Sequence, residues 1–133
     1  MSNKSMGNEF EADLCMALYE NGFWTHNMAM NPCGQPADVI AVRNRRAYLI
    51  DCKVCSSGRL QLSRIEENQK LSMALWEECG NGEGWFAILI DRDIYMVSYR
   101  TIAANLRVKA TMTEMDIKRA GFHIGEWMRE ICA

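Results

Sequence analysis

Residues 47–54, AYLIDCKV, form an apolar run whose second half carries an Asp, a Cys and a Lys, and another Cys follows at position 55. A run of this length and composition, closed by Ser-Ser-Gly, reads as a strand. Side chains on a strand alternate between faces, so Leu49, Asp51 and Lys53 share one face while Tyr48, Ile50, Cys52 and Val54 share the other. That alternation separates two chemistries. Cys52 and Cys55 form C-x-x-C, a zinc or redox spacing. In a continuous strand they face opposite ways and reach one zinc only if the strand ends or bulges between them. No second C-x-x-C completes a four-ligand set, and Cys33, Cys79, His26 and His123 lack supporting spacing, so no structural zinc is expected. Asp51 and Lys53, by contrast, point together. On spacing alone D-x-K is a solvated strand face; it becomes a hydrolytic metal site only in the right company.

The surrounding elements supply that company. Phe10, Leu14, Ala17 and Leu18 recur at helical spacing over residues 8–21, with Gly22 as a C-terminal stop. Residues 23–30 read as a first strand, and 38–42 and 47–54 as a hairpin joined by a polar turn at 43–46. Ser63 and Glu66 supply an S-x-x-E capping box for a helix over 64–79, stopped at Gly80. Two further strands follow at 85–90 and 94–99. The αβββαβ order implies an α/β fold with a mixed central sheet flanked by helices. The 133 residues suit a single domain, with a core over about 7–99 and a C-terminal helical extension over about 100–133. Within that extension Thr113 and Asp116 mark a helix start, and Trp127, Met128 and Ile131 form an apolar stripe against the domain or a partner subunit.

Composition bounds the function classes. The formal net charge of −2 gives no general nucleic-acid signature, yet the distribution is uneven. Residues 1–42 hold one Lys and five acids, whereas residues 43–70 hold seven Lys or Arg against three acids, a local excess of +4 around the D-x-K strand. The start, MSNKSMGNEFEAD, has no apolar stretch of signal-peptide type, and the longest dense apolar run, 85–90, is too short to span a bilayer. A soluble intracellular, cytoplasmic protein with no membrane contact is expected, its six scattered cysteines reduced and mostly packed as small core residues.

Three more polar residues join Asp51 and Lys53. Asp38 opens the strand that the hairpin lays beside Asp51. On the first helix, counting about 100° per residue from Phe10, Leu18 falls at about 80° and Glu11 at about 100°, so Glu11 borders the buried stripe; Glu9, at about 260°, does not. On the second helix Gln69 lies at about 40° from Ile65, between Trp76 and Met73, at the centre of the apolar face where an amide requires a partner. By itself such a glutamine is read as a satisfied core amide. Together, Glu11, Asp38, Asp51, Lys53 and Gln69 are expected to point into one layer between helices and sheet. Grouped carboxylates suit a hard divalent cation with waters and substrate phosphate, and a lysine beside it steadies the attacking water or the developing charge. The chemistry is phosphodiester hydrolysis.

G-x-x-x-E at 7–11, P-A-D-V-I-A at 36–41, L-I-D-C-K at 49–53 and Gln69 on the next helix resemble the PD-(D/E)XK nuclease superfamily, and more narrowly its small Holliday-junction resolvase branch. The resemblance covers residues 7 to about 90 and implies a restriction-endonuclease-like αβββαβ core. It implies that Asp38 and Asp51 ligate the metal with the backbone carbonyl of Cys52. Glu11 completes the acidic site directly or through water, Lys53 orients the nucleophilic water, and Gln69 braces the site. Mg²⁺ is the implied cofactor, with Mn²⁺ able to substitute. Two departures stand out: Ala37 separates Pro36 from Asp38, and Asp51 stands where many members have Glu.

The implied activity is that of a divalent-metal-dependent endodeoxyribonuclease on branched DNA. Two other readings stay open: a DNA-end-acting or sequence-specific nuclease of a defence or mobile element, and a catalytically inactive DNA-binding or assembly protein on the same fold. Arg43, Arg45, Arg46, Arg59, Arg64 and Lys70, clustered in sequence around the site, are expected to contact phosphates with little base reading. Two cuts on two strands call for two sites, hence a homodimer. Trp85, Tyr95, Met96 and Tyr99 are read as its interface or as core.

Overall fold

The computed structural model describes residues 3–28, 37–55 and 57–133, with residues 3–5 given by backbone alone. Cys33 and Pro36, and the end of the first expected strand at 29–30, lie outside the described residues. The elements run α1 (Asn3–Glu20), β1 (Trp24–Asn27), β2 (Val39–Arg43), β3 (Arg46–Val54), β4 (Arg59–Gln61) and a 3-10 turn (Leu62–Arg64). They continue with α2 (Glu67–Glu78), β5 (Trp85–Ile90), β6 (Asp93–Ser98), α3 (Tyr99–Leu106), β7 (Thr111–Thr113), α4 (Glu114–Ala120), β8 (Phe122–His123) and α5 (Ile124–Glu130). No helix among the described residues is long and apolar enough to cross a membrane.

The central sheet has the order β1-β2-β3-β5-β6-β8. Only β3 and β5 are parallel; every other neighbour is antiparallel, so the sheet is mixed, as the element order implies. A parallel neighbour requires a crossover, and α2 provides it. The β2–β3 hairpin closes through Asn44 and Arg45, both at positive φ (54° and 67°), the two-residue turn whose twist matches that of the strands.

Alternation along β3 holds as expected. Tyr48, Ile50, Cys52 and Val54 belong to a core with Phe10, Leu14 and Leu18 of α1 and Trp127 of α5. Leu49 and Cys55 belong to the opposite core, with Met73 of α2, Ile102 of α3 and Ile117 of α4. The two cysteines of C-x-x-C therefore lie on opposite faces. Trp85 and Met96 are buried, and Tyr95 and Tyr99 pack half-buried against the core, so these four are core residues and not an exposed interface.

Two expectations about the helices need correction. The second helix begins at Glu67, not 64, because residues 59–61 pair as β4 with β7 in a separate two-stranded sheet and Leu62–Arg64 turn back from it. Its capping box is Glu66 with Gln69 rather than Ser63 with Glu66. Moreover, α1 and α2 cover opposite faces of the sheet and do not share a layer. The C-terminal segment over 100–133 is also more than a helical extension: β8 extends the main sheet and β7 completes the small one. Trp127 is fully buried, stacked 6.1 Å from Phe23 and edge-on to Tyr48 and Trp85 at 5.2 and 5.7 Å. The expected helix start at Thr113 and Asp116 is a reciprocal capping box.

Candidate active site

Strand register brings the first two carboxylates together. Val39 pairs with Ile50, and the Asp38 N–H donates to the Ile50 carbonyl at 3.0 Å, so the ladder runs one residue past β2 and sets Asp38 beside Asp51. The Asp38 Oδ2 accepts from the Cys52 N–H at 2.7 Å, which fixes its carboxylate against the strand. Asp51 is fully buried. A charge in that position costs several kcal/mol unless paired and hydrogen-bonded.

Lys53 and Gln69 supply the partners. The Lys53 Nζ lies 3.2 Å from Asp51 Oδ2 and donates to Gln69 Oε1 at 3.3 Å, while Gln69 Nε2 donates to Asp51 Oδ1 at 3.1 Å. Gln69 Oε1 also accepts from the Glu66 N–H at 3.1 Å, the reciprocal half of the α2 capping box. One amide thus starts the helix and bridges the acid and the lysine. The apolar-stripe position of Gln69 pointed to a buried partner; its helix-starting role was missed, although E-x-x-Q was there to be read at 66–69.

Glu11 arrives from the other side of the sheet. It borders the α1 stripe and meets Asp38 at the strand end, where the sheet no longer separates the faces; burial first, then the charge of Asp38 and its hydrogen bond, push the Glu11 carboxyl up to about 7. Asp51 is pushed up to about 8 by burial and by Asp38, against the opposing pull of Lys53. Burial and the same carboxylates hold the Cys52 thiol well above its usual range, which keeps it an uncharged core group. Glu11 and Asp51 thus each face Asp38, while Lys53 lies against Asp51 and Gln69. Among the described residues no three His, Cys, Asp or Glu side chains form a ready-made ligand cluster.

The sequence-clustered basic residues divide in space. Arg59 and Arg64 line a depression of about 450 Å³ with Met6, Gly7 and Cys52, at the Val54 end of β3. Arg64 also donates to the Val54 carbonyl at 2.8 Å. Lys70 is on α2, 3.7 Å from Glu67. Arg45 and Arg46 lie at the other end of β3, about 23 Å from Lys53 at the usual rise per residue, where they line a separate cavity of about 760 Å³.

Arg43 is held inside the fold. Its guanidinium donates to the carbonyls of Asn21, Met128 and Cys132 and lies 4.4 Å over the Phe23 ring, tying α1, β2 and the C-terminus together. Arg43→Ala is expected to lower stability by roughly 2 kcal/mol, a fall in Tm of about 5–10 °C. Arg59→Ala is expected to leave Tm unchanged and reduce the salt slope of DNA binding by about one. Thermal melts and binding titrations across salt check both; an Arg43→Ala protein with normal Tm but weakened DNA binding would reverse the assignment.

Residues 2–126 match the family described as archaeal Holliday junction resolvase (Hjc). Compared with curated proteins, the chain has no match in sequence. Among solved structures it is similar to Archaeoglobus fulgidus Hjc, described as a Holliday junction resolvase from an archaeal hyperthermophile. The TM-score is 0.69 over 91% of this chain and 93% of that one, at 21% identity. At that identity the likeness speaks for a shared fold.

Proposed function

The chain belongs to the archaeal Holliday junction resolvase family and is a nuclease acting on branched DNA; on that premise we propose that it hydrolyses phosphodiester bonds at a site built from Glu11, Asp38, Asp51, Lys53 and Gln69. The observation that carries this reading is the contact set around Asp51, in which one ammonium lies beside and one amide donates to a fully buried carboxylate that stands next to a second carboxylate across the hairpin.

The donor chemistry fits a hard divalent cation. Asp38, Asp51 and the backbone carbonyl of Cys52 offer only oxygen, with Glu11 joining directly or through water, and the Glu11 and Asp51 carboxyls, pushed up first by burial and then by Asp38, are groups whose charged forms a cation would favour. Mg²⁺ suits these ligands, and Mn²⁺ substitutes. When bound, such an ion polarises the scissile phosphate and lowers the pKa of a water. Lys53, held between Asp51 and Gln69, orients the attacking water and offsets the charge that develops on the phosphoryl oxygens. Gln69 keeps the lysine and the acid in register. Arg59, Arg64 and Lys70 contact flanking phosphates, which requires local rather than overall positive charge. A homodimer presents two such sites to the two strands that must be cut.

The test is cleavage of a four-way junction and of a linear duplex of equal length, with Mg²⁺, with Mn²⁺ and with EDTA. The junction is expected to be cut in preference, and only with metal. Equal cutting of both substrates would remove the junction preference and leave a nuclease, cutting confined to ends or to one sequence would favour a defence-type enzyme, and binding without cutting would mean an inactive scaffold. Light scattering checks the dimer.

A further inference from the structure

Trp24 is exposed over 60% of its surface, on the edge strand of the main sheet. A large aromatic left open there is a liability for edge pairing and aggregation unless something covers it. Its place in the register says what lies beside it. Trp24 pairs with Val42 and His26 with Ile40, and residues opposed across an antiparallel pair share a face. Ile40 packs with Leu49 on the α2 side, and Asp38 and Asp51 are the next residues along β2 and β3 on that same face. Thr25, between the two aromatics, faces α1 instead, beside Cys15. The Trp24 and His26 rings are nearly parallel, 15° apart in plane with centroids 6.1 Å apart, and His26 is also exposed. At the usual rise per residue His26 stands about 7 Å and Trp24 about 14 Å along the strand from the Asp38 position.

We infer that Trp24, backed by His26, is a stacking platform for a nucleobase freed at the branch point, and that it recognises branched DNA beside the catalytic carboxylates. The inference rests on the branched-DNA reading above. A strand whose phosphate sits at Asp38 and Asp51 must cross this face or leave it; at about 3.4 Å per stacked nucleotide, Trp24 lies within roughly four steps of the cut. In an intact duplex every base is already stacked on its neighbours and offers no π-face. A branch point interrupts that stack, so an aromatic platform rewards a branch and gains nothing from plain duplex. Stacking is indifferent to base identity, which matches recognition by shape rather than by sequence.

The experiment measures junction and duplex binding in EDTA for the wild type, Trp24→Ala and Trp24→Phe, with 2-aminopurine beside the branch point as a second readout. Stacking on one aromatic predicts about a tenfold loss of junction affinity for Trp24→Ala, unchanged duplex affinity, and retention within about threefold for Trp24→Phe. The wild type is expected to quench the 2-aminopurine and Trp24→Ala to leave it bright. Trp24→Thr, whose β-branched side chain suits a strand, replaces the alanine variant if the latter does not fold. A wild type without junction preference sinks the substrate reading itself. If the wild type prefers junctions and Trp24→Ala keeps that preference, loses both substrates equally, or changes oligomeric state by light scattering, the platform is wrong while the substrate reading stands.

Discussion

Lys53→Ala is expected to slow junction cleavage by about a thousandfold while leaving junction affinity in EDTA within about threefold of the wild type. Its side chain is 11% exposed and its Nζ lies against the acid and the amide of the candidate site, a placement that suits a role in the proposed reaction rather than a contact to the DNA backbone. Lys53→Arg is not a rescue, because a planar fork does not fit between Asp51 and Gln69 as a compact ammonium does. Asp51→Asn, which removes a proposed ligand, is expected to cost at least as much activity and to raise the stability of the cation-free protein at pH 8 and above, where it takes away a buried carboxylate facing Asp38. Single-turnover cleavage of a labelled junction measures both; activity near the wild-type level in either variant would overturn the site assignment.

What could be read from the sequence divides along a physical line. Periodicity within one element fixes which side chains share a face of that element. Thus alternation on β3 separated Asp51 and Lys53 from Cys52, and the helical angle of Glu11 marked it as half-buried beside Phe10 and Leu14. Periodicity does not say which side of the sheet a helix covers. That depends on the crossover from β3 to β5, whose handedness sends α2 to one face and leaves the other to α1. Glu11 was therefore expected in the same layer as Gln69, and it instead reaches Asp38 around a strand end.

The basic residues show the same limit at longer range. Arg43, Arg45 and Arg46 are close in sequence to the D-x-K motif, but Arg46 and Val54 are the opposite ends of a nine-residue strand. Sequence proximity along an extended strand is distance, not contact. Arg59 and Arg64 come near the site only because β4 pairs with β7, a contact between segments about fifty residues apart that no local pattern announces. The same pairing displaced the start of α2 and left Gln69 as the residue that both completes the helix's capping box and contacts Asp51 and Lys53.

The raised carboxyls make a prediction about the protein without substrate. In the unfolded chain Asp51 and Glu11 titrate near 4, whereas in the fold they are pushed up to about 8 and about 7, both chiefly by burial and then by Asp38. Between those limits the native state holds more protons than the unfolded chain, so stability falls as pH rises from about 4 to about 8 and stays low above. Below about pH 4 both states are protonated and the penalty vanishes. In EDTA the Tm is expected to drop by roughly 5–10 °C between pH 5 and pH 8. Because ligating carboxylates must lose their protons, Mg²⁺ is expected to restore much of that loss at pH 8 and little at pH 5. Asp51→Asn is expected to flatten both trends, since the group with the larger shift is gone. A Tm in EDTA that rises over this window, or a Mg²⁺ effect equal at the two pH values, would mean that the carboxylates do not crowd one another and that the cation does not bind among them.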